Sequence, residues 1–192
     1  MFSKEKWKKS AANLKSTKYL ALMGIFIALR VALSGIYIPV SENLRIGISY
    51  LVVAMEGIVI GPAAGLVCGF VSDLVGFMIF PSGPFFIGYT ISAMLGSLVW
   101  GLFLYDEKVT VLRLIGAKVV LNYIVNVLIG SLWSAMLYSR GYIYYATASL
   151  VKNTVMLPIE VLLLYALFSL VIPLLKRRNL IRQDNTVPIP FK

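Results

Sequence analysis

The sequence predicts an all-α membrane protein: a bundle of six transmembrane helices with both termini in the cytoplasm. Three observations carry this. Apolar residues make up 59% of the 192 and charged residues only 14%, against roughly 45–50% and 25% in soluble domains. Mean hydropathy is +0.87, so the chain lacks the polar groups to cover a water-exposed surface, and about 20 residues per crossing leaves room for six helices. The basic residues are also distributed unevenly. Six lysines precede residue 19 and five Lys or Arg follow Leu175, with Lys108 and Arg113 between the fourth and fifth spans. The alternate loops hold Arg45, Arg140 and Lys152, and this excess assigns the termini and the 106–113 loop to the cytoplasm.

The elements follow in order from uninterrupted apolar length. Residues 1–17 form a basic cytoplasmic stretch with Trp7 as an interfacial anchor, 18–175 the transmembrane domain, and 176–192 a basic cytoplasmic tail. The first span runs from Tyr19 to Ile38 and ends at Pro39, and a polar loop with Ser41, Glu42, Asn43 and Arg45 follows it. The second, from Ile46 to Ile60, is short and stops at Gly61-Pro62. The third covers Ala63 to Phe80, carries Asp73 and ends in Pro81-Ser82-Gly83-Pro84. The fourth runs from Phe85 to Tyr105 and the fifth from Val111 to Tyr138. Tyr142 to Ala148 read as interfacial before a sixth span from Leu150 to Leu175.

Several function classes are excluded by what is missing. The chain has no histidine and a single cysteine, Cys68, which removes His-ligated metals, His general bases and any disulfide framework. No phosphate-binding G-x-x-x-x-G-K-[ST] loop is present, so no nucleotide, metal or other cofactor is expected. The net charge of +10 flanks apolar spans and does not form an aromatic-interleaved stripe, so no nucleic-acid partner is expected. A solute-binding bundle without an engine needs a partner that supplies energy.

Charged and polar residues at membrane depth are the informative exceptions, because each is costly unless it faces protein or water. Arg30, Asp73, Asn126, Lys152 and Asn153 gather toward the outer half and suggest a polar cavity open to the outside. Structural alternatives stand beside each: Arg30 pairs with a buried acid or snorkels, Asp73 caps or pairs between helices, and Asn126 makes an interhelical hydrogen bond. Lys118, Asn122 and Asn126 recur every four residues and share one helix face. Lys118 lies near the cytoplasmic end, where snorkelling accounts for it. In the first span Gly24, Ala28 and Ala32 form a strip without bulk. At about 100° per residue, Arg30 points some 200° away from Ala28, so this strip suits close approach of another helix.

These segments resemble the substrate-binding (S) components of energy-coupling factor (ECF) vitamin transporters, specifically the folate ones. The likeness lies in Arg30 after the small-residue strip, Arg45-Ile46-Gly47-Ile48-Ser49-Tyr50, Gly61-Pro62, Ser72-Asp73-Leu74-Val75-Gly76 and Phe80 to Phe86 with Gly88-Tyr89-Thr90. Gly101 to Tyr105, and Lys152-Asn153 with Met156 to Glu160, extend it over residues 18 to 175. Three positions depart from the family pattern: Gly130 stands where an Asn is expected, Ser149 where an Arg is common, and Glu56 where an apolar residue is expected. The resemblance implies a non-enzymatic binding subunit that captures folate outside the cell. It then docks on a transmembrane T component driven by two cytoplasmic ATPases, with Gly24, Ala28 and Ala32 as the docking face. Under that reading Arg30, Arg45 and Lys152 suit the folate carboxylates, Phe86, Tyr89 and Trp133 the rings, and Asp73 or Asn126 the pterin edge, with Asn153 beside Lys152. A different vitamin, a nucleobase-like solute, or a lipid-modifying membrane enzyme are the alternatives.

Overall fold

The computed structural model describes residues 4–39, 45–81, 83–138 and 140–192. It contains six helices: α1 Lys4–Asn13, α2 Thr17–Ser34, α3 Ser49–Ile79, α4 Ile87–Leu104, α5 Val111–Leu137 and α6 Tyr142–Arg177. All but α1 are long and apolar enough to cross a membrane. A short antiparallel pair, β1 Tyr37–Pro39 and β2 Arg45–Gly47, joins α2 to α3. The polar-loop residues Ser41, Glu42 and Asn43, like Ser82, lie outside the described residues.

Two boundaries differ from the sequence reading. The first span stops at Ser34 as α2, and Tyr37 and Ile38 enter β1 ahead of Pro39, which has no amide to donate to a continuing helix. Tyr142 to Ala148 are not a separate interfacial stretch. They are the first two turns of α6, whose 36 residues run on past Pro158 and Pro173.

Helix α3 breaks at Gly61, where φ is 82° and ψ −175°. The break reverses the chain. Before it, contacts climb along α4, from Gly57 against Trp100 to Gly61 against Tyr105. After it they descend, from Gly65 against Ser97 to Gly69 against Ala93 and Met94. The positive φ requires glycine, and a Cβ there would sit 2.7 Å from the Tyr105 ring. Pro62 then opens the second arm of α3 with the fixed φ of a first helical position. Gly61 has no side chain to cap the new helix, and α1 supplies one. Ser10 Oγ accepts the amides of Ala63 at 3.0 Å and Ala64 at 3.1 Å, and donates to the Ile60 carbonyl at 2.8 Å. Asn13 adds a second donor to Ile60. The orphan groups of two helix ends are thus met by one serine from a third helix.

The same end of the bundle holds the dry core, where Ile58, Ile60, Trp100, Leu104, Leu114, Phe168 and Ile172 are buried together with Val109 and Ile189. The basic tail folds back onto it. Pro190 and Phe191 accept the amides of Val111 and Leu112 at the start of α5, and Asn185 accepts that of Val109. Lys9 of α1 and Arg182 of the tail both reach Asp106, while Lys6 and Arg113 pair with Glu107. This end of the bundle is closed by the tail and α1.

Candidate ligand-binding site

Polar side chains at the open end come from α2, β1, α3, α4, α5 and α6. Helix α5 is π-helical from Val120 to Ile129, an i→i+5 winding that is common at functional sites. It presents Lys118, Asn122 and Asn126 to α6 as a continuous stripe. Lys118 Nζ lies 2.8 Å from Glu160 Oε2 and 4.3 Å from the centre of the Tyr50 ring. Asn122 donates to the same carboxylate oxygen at 2.9 Å and to the Asn153 carbonyl at 3.3 Å. Asn126 donates to Asn153 Oδ1 at 3.3 Å, and Asn153 donates in turn to Ser149. Lys118 is 3% exposed. The snorkelling expected of it is therefore corrected: it points inward because it shares the asparagine face, and that shared face was the available signal.

Two adjoining cavities lie here. One, of about 410 Å³, is lined by Tyr50, Lys118, Ser131, Lys152, Asn153 and Glu160 among others. The second, of about 630 Å³, is lined by Asp73, Phe77, Phe80, Phe85, Phe86 and Tyr138. Ser34, Tyr37 and Tyr89 border both. Each volume suits a small-molecule site. Two buried polar atoms without partners, the Tyr50 hydroxyl and Ser131 Oγ, belong to residues that line the smaller cavity. Buried polar groups are otherwise almost always bonded, so these two suit a guest that brings a polar group.

The residues expected from sequence divide between cavity and support. Asp73 lines the aromatic cavity and accepts a hydrogen bond from Thr90 at 2.7 Å. Phe86 and Tyr89 line it too, with ring centres 6.1 Å apart. Lys152, Asn126 and Asn153 line the lysine-bearing cavity. Trp133 lines neither. It packs behind Phe86 at 5.7 Å and donates to Ser92, so it braces the aromatic wall. Arg30 likewise lines neither cavity, because its guanidinium is engaged by Glu56 at 3.1 Å and Ser97 at 2.8 Å inside the bundle. Arg45 begins β2 opposite Pro39, and its side chain lies outside the described residues. Gly24, Ala28 and Ala32 form an exposed strip on the outer face of α2. Position alone did not reveal Lys118, Tyr50 and Glu160 as one cluster, since its members come from three helices far apart in sequence.

A family model for the ECF transporter substrate-specific component matches residues 18–168. The chain belongs to that family. As an ECF substrate-specific component it is a multi-pass protein of the cell membrane that serves transport and is not an enzyme. The folate transporter FolT of Clostridium novyi (strain NT) is 30% identical over 158 residues, covering 82% of this chain and 92% of that protein. FolT of Leuconostoc mesenteroides subsp. mesenteroides is 24% identical over 159 residues, covering 80% and 85%. A crystal structure of FolT bound with folic acid superposes with a TM-score of 0.73 at 29% identity, over 79% of this component and 93% of that chain.

Proposed function

We propose that this chain is the folate-capturing S component of an ECF transporter. It crosses the membrane six times within residues 18–175, with residues 1–17 and 176–192 in the cytoplasm. It takes folate from outside and delivers it through a transmembrane T component and two ATPase subunits. The observation that carries the reading is the pairing of an aromatic cavity holding Asp73 with an adjoining cavity holding lysines. Folate has the same two halves, a flat pterin rich in N–H donors and a glutamate with two carboxylates. Phe86 and Tyr89 offer faces to the ring, and Asp73 offers an acceptor to its amino-pyrimidine edge. Lys152, with Asn126 and Asn153 beside it, offers charge-assisted donors to the carboxylates, and Arg45 adds a cation from the neighbouring strand. Arg30 acts behind the site by neutralising Glu56. The names of the FolT relatives support the ligand class, and the reversal at Gly61 supports an even number of crossings. Gly24, Ala28 and Ala32 form the face on which the T component docks.

Calorimetric titration of the purified chain in detergent with folic acid, without nucleotide or partners, tests this directly. Saturable one-to-one binding is expected. A folded sample that takes up no folate overturns the reading.

A further inference from the structure

Two lysines and one carboxylate are the charged side chains lining the smaller cavity among the described residues. The carboxylate is not shared evenly. Glu160 Oε2 is 2.8 Å from Lys118 Nζ and also accepts from Asn122, so Lys118 is fully engaged by a buried partner. Lys152 borders the same cavity without an ion pair inside 4 Å or a hydrogen bond to any described residue. Formally the cavity holds two positive charges and one negative, and the surplus is on Lys152. The same cavity is lined by Tyr50 and Ser131, whose hydroxyls are buried without a partner.

We infer that Glu160 and Lys118 are specificity-determining residues that set how many ligand carboxylates this cavity accepts. Glu160 cancels one lysine and leaves Lys152 alone to meet the guest. The inference rests on the folate reading above and adds to it a rule for ligand charge. The physical basis is that each buried charge left unmatched weakens binding, whether it is a ligand carboxylate without a cation or a lysine without an anion. With Glu160 present the cavity offers one cation for the two carboxylates of folic acid, and a further γ-linked glutamate adds one more carboxylate that this cavity does not neutralise. Without Glu160, Lys118 becomes a second receiver. A purely structural pair, tying α5 to α6, would make no such distinction between ligands.

The test is a charge cycle in the full-length protein in detergent. Dissociation constants for folic acid and for pteroyldiglutamate, which carries one more carboxylate, are measured for the unaltered chain, E160Q, K118Q and the double variant. The quantity read is the ratio of the two constants within each protein, which cancels steric effects common to all. E160Q is expected to move the ratio about tenfold toward the diglutamate. K118Q, which turns Glu160 onto Lys152, moves it about tenfold the other way. The double variant restores the formal surplus of one and returns the ratio to near that of the unaltered chain. If one single variant fails to fold, the other and the double still decide the question. Ratios that stay put in the variants, or a double variant that keeps a single variant's ratio, overturn the inference while leaving folate binding intact. Absence of folate binding by the unaltered chain refutes the folate reading and this inference with it, and is seen before any ratio is formed.

Discussion

Arg30 and Glu56 form an ion pair inside the bundle, with Nη1 3.1 Å from Oε2 and the carboxylate fully buried. Glu56 stands at a position where the family resemblance predicts an apolar residue, and Arg30 explains the exchange. Removing one partner leaves a buried charge alone, at a loss of about 3–5 kcal/mol, whereas replacing both by apolar residues is close to neutral. Arg30→Ala and Glu56→Leu should therefore each lower the melting temperature in detergent sharply, and Arg30→Met combined with Glu56→Leu should recover most of it. Folic acid and a carboxylate-free pterin should lose affinity in parallel in Arg30→Ala. A loss confined to folic acid would put Arg30 in contact with the glutamate instead.

Asp73 should read the pterin. An ionised acceptor against ligand N–H groups contributes about 1.5–3 kcal/mol, so Asp73→Asn is expected to weaken folic acid binding roughly 10- to 150-fold. The carboxylate-free pterin should weaken by the same factor. Titration of both ligands against one protein preparation checks it. A variant that discriminates between them would place Asp73 away from the ring.

The contact of Ser10 with the Gly61 turn should be measurable as stability. Ser10→Ala removes the cap of the second arm of α3, and loss of such a cap costs about 0.5–2 kcal/mol. Protease sensitivity near residue 61 is expected to rise while ligand affinity changes little, since the turn is at the closed end. Acid should loosen the same region. Burial raises the Glu107 carboxyl, but hydrogen bonds and charge from Lys6 and Arg113 outweigh it and hold it below its usual 4.5. A group depressed in the folded state adds stability above 4.5 and loses it as pH falls through the lowered folded value. Hydrogen exchange of α1 compared at pH 6 and about pH 3 should show faster opening in acid. Exchange that is indifferent to pH would remove Glu107 from the clasp.

Ala28 separates capture from transport. It is exposed on α2, on the face turned away from Arg30, so Ala28→Trp should leave folate binding to the purified chain unchanged. Uptake by cells that also express the T component and ATPases should fall, because close helix approach in a membrane depends on small side chains. Lost binding would show that residue 28 packs within the bundle. Unchanged uptake would move the docking face elsewhere.

The long helices were legible because apolar length is a one-dimensional property, and Gly61-Pro62 was legible as a break in the apolar run. Two things were hidden by distance along the chain. Nothing local announces that Ser10 caps a helix beginning at Pro62, nor that Val109 and Val111 bond to residues 185 and 190. Those pairings depend on how the termini fold back. The site was half legible for a related reason. Asp73, Phe86, Tyr89, Asn126, Lys152 and Asn153 line the cavities, because polar and aromatic residues at membrane depth have few other places to go. Lys118 was assigned the wrong surroundings and Arg30 takes its structural alternative, a buried acid, since each is decided by an acid on another helix.

The winding of α5 has a consequence for sequence editing. Residues four apart on a regular α-helix overshoot a full turn by about 40°, so Lys118, Asn122 and Asn126 would drift around the axis. The slower i→i+5 winding between Val120 and Ile129 takes up that drift and keeps all three aimed at α6. Deleting a single residue there, for example Ile124, which is 48% exposed, would let ordinary α winding return without breaking the helix. The faster α winding over the remaining residues would offset most of the residue lost, so the helix beyond Ile129, with Trp133 behind Phe86, would keep its facing. The wide winding thus lets α5 hold one residue more than a regular helix without turning the part that follows. Length in this segment is therefore separable from the facing of everything beyond it.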